Sequence, residues 1–130
     1  MIRKYKAYKR VHVTTAAPGD LVVMLYDGLI RFTRTAQRAI QAQLYSDAGE
    51  AIDKALAIIA HLQDSLREDV SAELVSGLDT TYFAWMRILL RANIERDVEL
   101  LDELVGQMAE LRDAWRDASR TATPALAKGA

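Results

Sequence analysis

At 130 residues, with 51% hydrophobic and 27% charged side chains and a net charge of -1, the chain has the balance of one globular domain around one core. Six glycines and two prolines are too few for the many tight turns of a β-sandwich or barrel and point to a few long helices. The absence of cysteine excludes a disulfide scaffold, a cysteine-based zinc site and a thiol nucleophile. No apolar run comes near the roughly 18 residues of a membrane span and no secretory leader precedes the first apolar stretch, so the expected location is cytoplasmic, without membrane insertion.

The chain opens on a basic arm, residues 1–16, in which Arg3, Lys4, Lys6, Lys9 and Arg10 stand before the first acid, Asp20. Because the whole chain is nearly neutral, the remainder is net acidic. Two readings of the arm stand side by side. It is a nucleic-acid or membrane arm, with Tyr5 and Tyr8 available to stack, or it is a solvated or loosely docked terminus; so few charges give only a salt-sensitive attraction, which favours the second.

Four amphipathic helices follow. Helix one is expected from Pro18, whose fixed φ suits a first helical position, to about Leu44, with Leu21, Val22, Leu25, Leu29, Phe32, Ala36 and Ala39 on its apolar face. Helix two is expected from Ser46 or Asp47, where Asp47 and Glu50 have the spacing of a capping box, with Ile52, Ala55, Leu56, Ile59, Leu62 and Leu66 facing inward. Ser71 is a good N-cap for helix three, whose face is Leu74, Leu78, Tyr82, Trp85, Leu89 and Ala92. After a corner at residues 93–96, helix four starts near Asp97 with Leu101, Leu104, Val105, Met108, Leu111 and Trp115 inward. The tail from Arg120 to Ala130 reads as flexible. Short connections make neighbouring helices antiparallel, so residues 17–119 are predicted to form one all-α, up-down four-helix bundle.

Within this pattern the parts of an enzyme do not assemble. His12 and His61 are the two histidines, and neither follows a glutamate at the Glu-x-x-His spacing of a bundle metal site. No serine sits in a glycine-rich elbow and the glycines are isolated, so neither a nucleophile elbow nor a phosphate loop is present. No catalytic, metal or cofactor residue is assigned, and His61 reads as a boundary residue of helix two.

The informative feature is surplus apolar surface. Helix three carries a second stripe, Phe83, Met86 and Leu90, about 100° round from the Leu78 and Trp85 face. Helix one has a comparable flank in Val23, Tyr26 and Ile30. Such flanks either widen the core or line a groove for another amphipathic helix.

The ordered motifs along the chain resemble a known family. Tyr5-x-x-Tyr8, Val13-x-Thr15-Ala16-x-Pro18-x-x-Leu21, Met24-Leu25-Tyr26-Asp27-Gly28, Ala92-Asn93, Glu103-Leu104-Val105 and Leu111-Arg112-Asp113-Ala114-Trp115 stand at the separations found in the flagellar secretion chaperone FliS family, over about residues 5–116. The chain departs from that pattern at Ala17, where the family usually has serine, and at Thr81-Tyr82-Phe83-Ala84, where it usually has Leu-Tyr-Asp-Tyr.

The resemblance implies a cytoplasmic, non-enzymatic bundle that holds the C-terminal segment of flagellin. It would prevent premature polymerisation and help deliver flagellin to the flagellar type III export gate. Combined with the surplus stripes, it makes Tyr5, Tyr8, Val23, Tyr26, Ile30, Phe83, Met86 and Leu90 the expected flagellin-binding residues. Asp27 is expected either to hold the arm through a basic residue or to be a surface acid. The alternative is a dimeric regulatory or scaffold bundle, a homodimer joined through the same stripes. The acidic body disfavours nucleic acid as a partner.

Overall fold

Pro18 opens α1 (Pro18–Gln41), and α2 (Tyr45–Asp69), α3 (Ala72–Glu95) and α4 (Val98–Gly129) follow. The computed structural model describes residues 18–69 and 72–129, with side chains at 20–66 and 72–118. The fold is the expected all-α one. The arm with Tyr5, Tyr8 and His12, and the proposed cap Ser71, lie outside the described residues.

Sequential helices turn back on one another. α1 and α3 each pack between α2 and α4, and α1 faces α3 only across the diagonal. The direction of α4 against α1 is read from three polar ties. Near the end of α1, Gln37 Nε2 donates to the carbonyl of Val98 at 2.9 Å. One turn back, Arg34 donates to Asp102 at 2.6 Å, and near the start of α1 Asp27 pairs with Arg112 at 3.3 Å. Asp27 therefore ties α1 to α4; the arm that it was also expected to hold lies outside the described residues.

The helix ends show why some predicted boundaries moved. α1 stops at Gln41 because Gln43 takes a left-handed conformation, with φ of 62°. The amide of Gln43 then donates to the carbonyl of Ile40 at 3.0 Å and that of Leu44 to Ala39 at 2.8 Å, the double closure of a Schellman ending. α3 ends the same way at Arg96, with φ of 55°, and Asp97 N donates to the Ala92 carbonyl at 3.0 Å. In neither case is the left-handed residue glycine, so the usual stop signal is missing from the sequence.

The Arg96 guanidinium stacks 3.5 Å from the centre of the Tyr45 ring, which joins the two turns at this end of the bundle. α2 begins at Tyr45, so Asp47 falls inside its first turn, where an acid suits the positive end of the helix dipole. α4 starts at Val98, beside the expected Asp97, and Asp97 caps it, its Oδ1 accepting from the amide of Leu100 at 3.0 Å. α4 is assigned as helix as far as Gly129.

The core runs along the bundle axis. Leu29, Ile52, Ile59, Leu62, Leu89, Leu101, Leu104 and Met108 are buried there, with Tyr26, Tyr82 and Trp85 as its largest side chains. On α1 the buried line is Tyr26, Leu29, Thr33, Ala36, Ala39 and Ile40. This is rotated by about 40° from the predicted face, at 100° per residue. Leu25 and Phe32 are left half-buried on its edge.

Thr33 can be buried because its hydroxyl donates to the carbonyl of Leu29 at 2.8 Å. Phe32 lies between two cations, Arg31 and Lys54, at 5.4 and 5.5 Å. Where α1 crosses α2, a Cβ on Gly28 would stand 3.2 Å from Cδ1 of Ile58, so the missing side chain permits the close approach.

Gly106, in the exposed interior of α4, has nothing within 4 Å of such a Cβ. Gly106→Ala is expected to raise the unfolding free energy by about 1 kcal/mol, the ordinary gain in helix propensity. Gly28→Ala should gain less, because Ile58 must shift. Urea unfolding of the two variants beside the parent checks the contrast; equal gains would show that the α1–α2 contact is loose.

Candidate functional site

The exposed apolar side of α3 is the site the structure offers. Phe83 is 52% exposed, Leu90 48% and Ile94 80%, while Met86 between them is half-buried against the core. The four stand at i, i+3, i+7 and i+11, one line of about 17 Å along the helix at 1.5 Å per residue. The line exists because α3 is apolar on two sides: Leu78, Tyr82, Trp85, Leu89 and Ala92 fill the core, leaving the second stripe no room inside. Phe83, Met86 and Leu90 are thus where their spacing placed them. Ile94 was missed, because residues 93–96 read as a corner although the helix runs to Glu95; its i+4 spacing from Leu90 was the available signal.

The predicted flank of α1 is different. Tyr26 is 0% exposed and belongs to the core, so its expected place on a groove wall is corrected. Its ring is amphipathic, and the rotation of α1 that buries Thr33 and Ile40 carries it inward with them. Ile30 packs against the core and Val23 is half-buried. By rotation both lie on the side from which Arg34 and Gln37 reach α4. Met24, at 57% exposure, is the open apolar residue of α1.

Electrostatics add ties at the surface and one feature inside. Arg34 holds the Asp102 carboxyl below its ordinary range, first by the hydrogen bond and then by charge. Glu95 stabilises the Arg91 cation across 2.6 Å at i+4. Such exposed pairs contribute little stability.

Inside, the Tyr26 and Tyr82 hydroxyls hydrogen-bond to each other at 2.7 Å across the α1–α3 diagonal. Trp85 meets the Tyr26 ring edge-on at 6.1 Å and the Tyr82 ring at 5.6 Å, and its indole N–H donates to Oε1 of Gln107 on α4 at 3.0 Å. Burial raises both phenol pKa values. For Tyr82 the nearby Tyr26 adds to the rise, whereas for Tyr26 hydrogen bonding with Tyr82 and Trp115 offsets part of it.

Among the described residues two buried side-chain polar atoms are unbonded, the nitrogen of Gln63 on α2 and Oδ1 of Asp79 on α3. His61 is half-buried. Among the described residues no three His, Asp or Glu side chains are grouped to hold a metal, and no helix is long and apolar enough to cross a membrane.

A solvent-facing apolar stripe on a bundle with a filled core is the kind of feature that marks an interaction site. Comparison with known sequences bears on which kind of protein carries it. The profile of the family described as "Flagellar protein FliS" matches residues 1–122. The flagellar secretion chaperone FliS of Bacillus subtilis is 37% identical over 114 residues, covering 88% of this chain and 84% of its own. That of Salmonella typhimurium is 30% identical over 123 residues, 91% of each chain, and that of Escherichia coli 33% identical over 106 residues, 81% of this chain and 78% of its own. The chain belongs to the FliS family of flagellar secretion chaperones.

Proposed function

We propose that this chain is an export chaperone that binds the C-terminal segment of flagellin along α3, keeps it from polymerising in the cytoplasm and assists its delivery to the flagellar type III export gate. The observation that supports this reading is the exposed line Phe83, Met86, Leu90 and Ile94 on an otherwise well-packed bundle. Its three turns suit an amphipathic helix that inserts anchors at i, i+3, i+4 and i+7. Met86 adds an adaptable thioether to the line. Tyr5 and Tyr8 belong to the proposal as further contacts from the arm, each able to bury a ring while its hydroxyl stays wet. The proposed chemistry is capture and release, without catalysis.

The test is calorimetric titration of the full chain with the C-terminal segment of a flagellin from the same organism. The parent should bind with a large negative heat-capacity change, because the segment orders as it buries apolar surface. Phe83→Asp should weaken binding by about 30-fold, the equivalent of a 2 kcal/mol anchor. Because Phe83 is already half in solvent, circular dichroism should show the variant folded. Unchanged affinity in the variant would move the site off α3. A parent that does not bind and sediments as a dimer would replace the chaperone reading by a self-associating bundle.

A further inference from the structure

The side-chain nitrogen of Gln63 and Oδ1 of Asp79 are a donor and an acceptor, both shut off from solvent and both without a hydrogen-bond partner. Gln63 is only 8% exposed. Buried polar groups are ordinarily satisfied, so a donor and an acceptor left open need a reason. The two residues stand at one level of the α2–α3 hairpin. Position 63 precedes the end of α2 at Asp69, and position 79 follows the start of α3 at Ala72, by about 10 Å in each case at 1.5 Å per residue.

Their rotation brings them to the same cleft. Gln63 lies about 180° round α2 from Lys54, which reaches Phe32 on α1. Asp79 lies about 120° round α3 from Trp85, which bonds Gln107 on α4. Each is therefore turned away from its other neighbour and into the cleft between α2 and α3. The α3 wall of that cleft continues through Met86 to the exposed Phe83, Leu90 and Ile94. The α2 rim is low: Ala60 is exposed, and a Cβ on Gly49 would meet nothing within 4 Å.

We infer that Gln63 and Asp79, juxtaposed at the closed end of the α2–α3 cleft beside the apolar line of α3, together receive one amide group of the bound client segment; this rests on the binding function proposed above. The client carbonyl accepts from Gln63 Nε2 and its N–H donates to Asp79 Oδ1. A carboxylate brings no donor, an ammonium no acceptor and an apolar side chain neither. Because both atoms are shut off from solvent in the free chain, this reading requires the Gln63 and Asp79 side chains to rotate toward the mouth of the cleft when the client binds. A client that is helical at this point supplies the group from an Asn or Gln side chain, because its backbone amides are bonded internally; a client unwound here supplies a backbone peptide unit. The apolar line provides affinity that tolerates sliding by a turn. The amide pair does not tolerate it, and so fixes the register.

The test titrates the full chain with the same flagellin segment, comparing the parent with Gln63→Met, Asp79→Leu and Asp79→Asn. Gln63→Met and Asp79→Leu should bind about 10-fold more weakly, while the melting temperature of the free chain stays level or rises, since an unpaired polar atom has been removed. Asp79→Asn retains an acceptor and should stay within about threefold of the parent. Segments in which single Asn or Gln residues are replaced by Leu, titrated against the parent and Gln63→Met, then identify the source. One replacement whose effect vanishes in Gln63→Met assigns a side-chain amide, and effects that all persist assign the backbone.

Parent-like affinity in Gln63→Met or in Asp79→Leu overturns the inference and leaves the chaperone reading intact. A fall in melting temperature that accompanies the lost affinity also overturns it, because the residues would then be structural. A parent that does not bind the segment fails at the earlier step, the proposed function. Asp79→Leu carries the test should Gln63→Met not fold.

Discussion

Trp85→Ala is expected to cost the bundle about 3–5 kcal/mol, the range for deleting a large buried aromatic side chain. Trp85 is almost wholly buried, in contact with Tyr26 of α1 and Tyr82 of α3, and its N–H reaches Gln107 of α4. Its removal leaves a cavity at the point where three helices meet, and the surrounding rings cannot collapse into it without breaking the Tyr26–Tyr82 hydrogen bond. A domain of this size is stable by about 5–15 kcal/mol, so the variant should be marginal at room temperature. Trp85→Phe fills most of the space, and the freed Gln107 side chain is exposed enough to bond water; its cost should be less than half as large. Urea unfolding measures both. A loss below about 1 kcal/mol in Trp85→Ala would mean that the three-ring cluster is not the organising part of the core.

The same cluster shows where the sequence was legible. Four helices, their order and most of the core on α2, α3 and α4 follow from an apolar period of 3.6, because those stripes are continuous lines of aliphatic and large aromatic residues that have nowhere else to go. α1 misled the reading at two side chains. Tyr26 has a hydroxyl and Thr33 is polar, so periodicity assigns one to a flank and leaves the other out. Both are buried because each hydroxyl finds a partner, Tyr82 for one and the Leu29 carbonyl for the other. A hydrogen bond between residues 56 positions apart leaves no trace in local pattern. The ends of α1 and α3 were blurred for a related reason, since Gln43 and Arg96 adopt the conformation usually marked by glycine.

The candidate site divides along the same line. Phe83, Met86 and Leu90 were readable as a second stripe, because an amphipathic helix needs only one. Gln63 and Asp79 were not, because polar residues on helices read as solvent-facing until burial is known.

Removing one hydroxyl of the Tyr26–Tyr82 pair should be worse than removing both. Tyr26→Phe or Tyr82→Phe alone leaves a buried hydroxyl without its partner and should cost about 1–3 kcal/mol. The double variant should recover most of that loss, and the coupling from the four unfolding free energies measures the bond itself. Additive losses would show that each hydroxyl acts alone.

The pair also sets an alkaline limit. Both phenol pKa values are raised in the fold, mainly by burial, whereas in the unfolded chain they stay near 10. Below that pH both states hold the protons and the pair adds no pH dependence. Above it the unfolded chain releases protons that the folded chain retains, so stability falls as pH rises, by about 1.4 kcal/mol per pH unit for each tyrosine. The loss continues until the folded pKa values are reached. Unfolding curves between pH 9 and 11 should therefore show a steep decline in the parent and a shallower one in the double Phe variant, in which only the other ionisable groups contribute. Parallel declines would mean that the two phenols ionise in the native bundle as readily as in the unfolded chain, and that the diagonal contact opens under alkaline conditions before the helices separate.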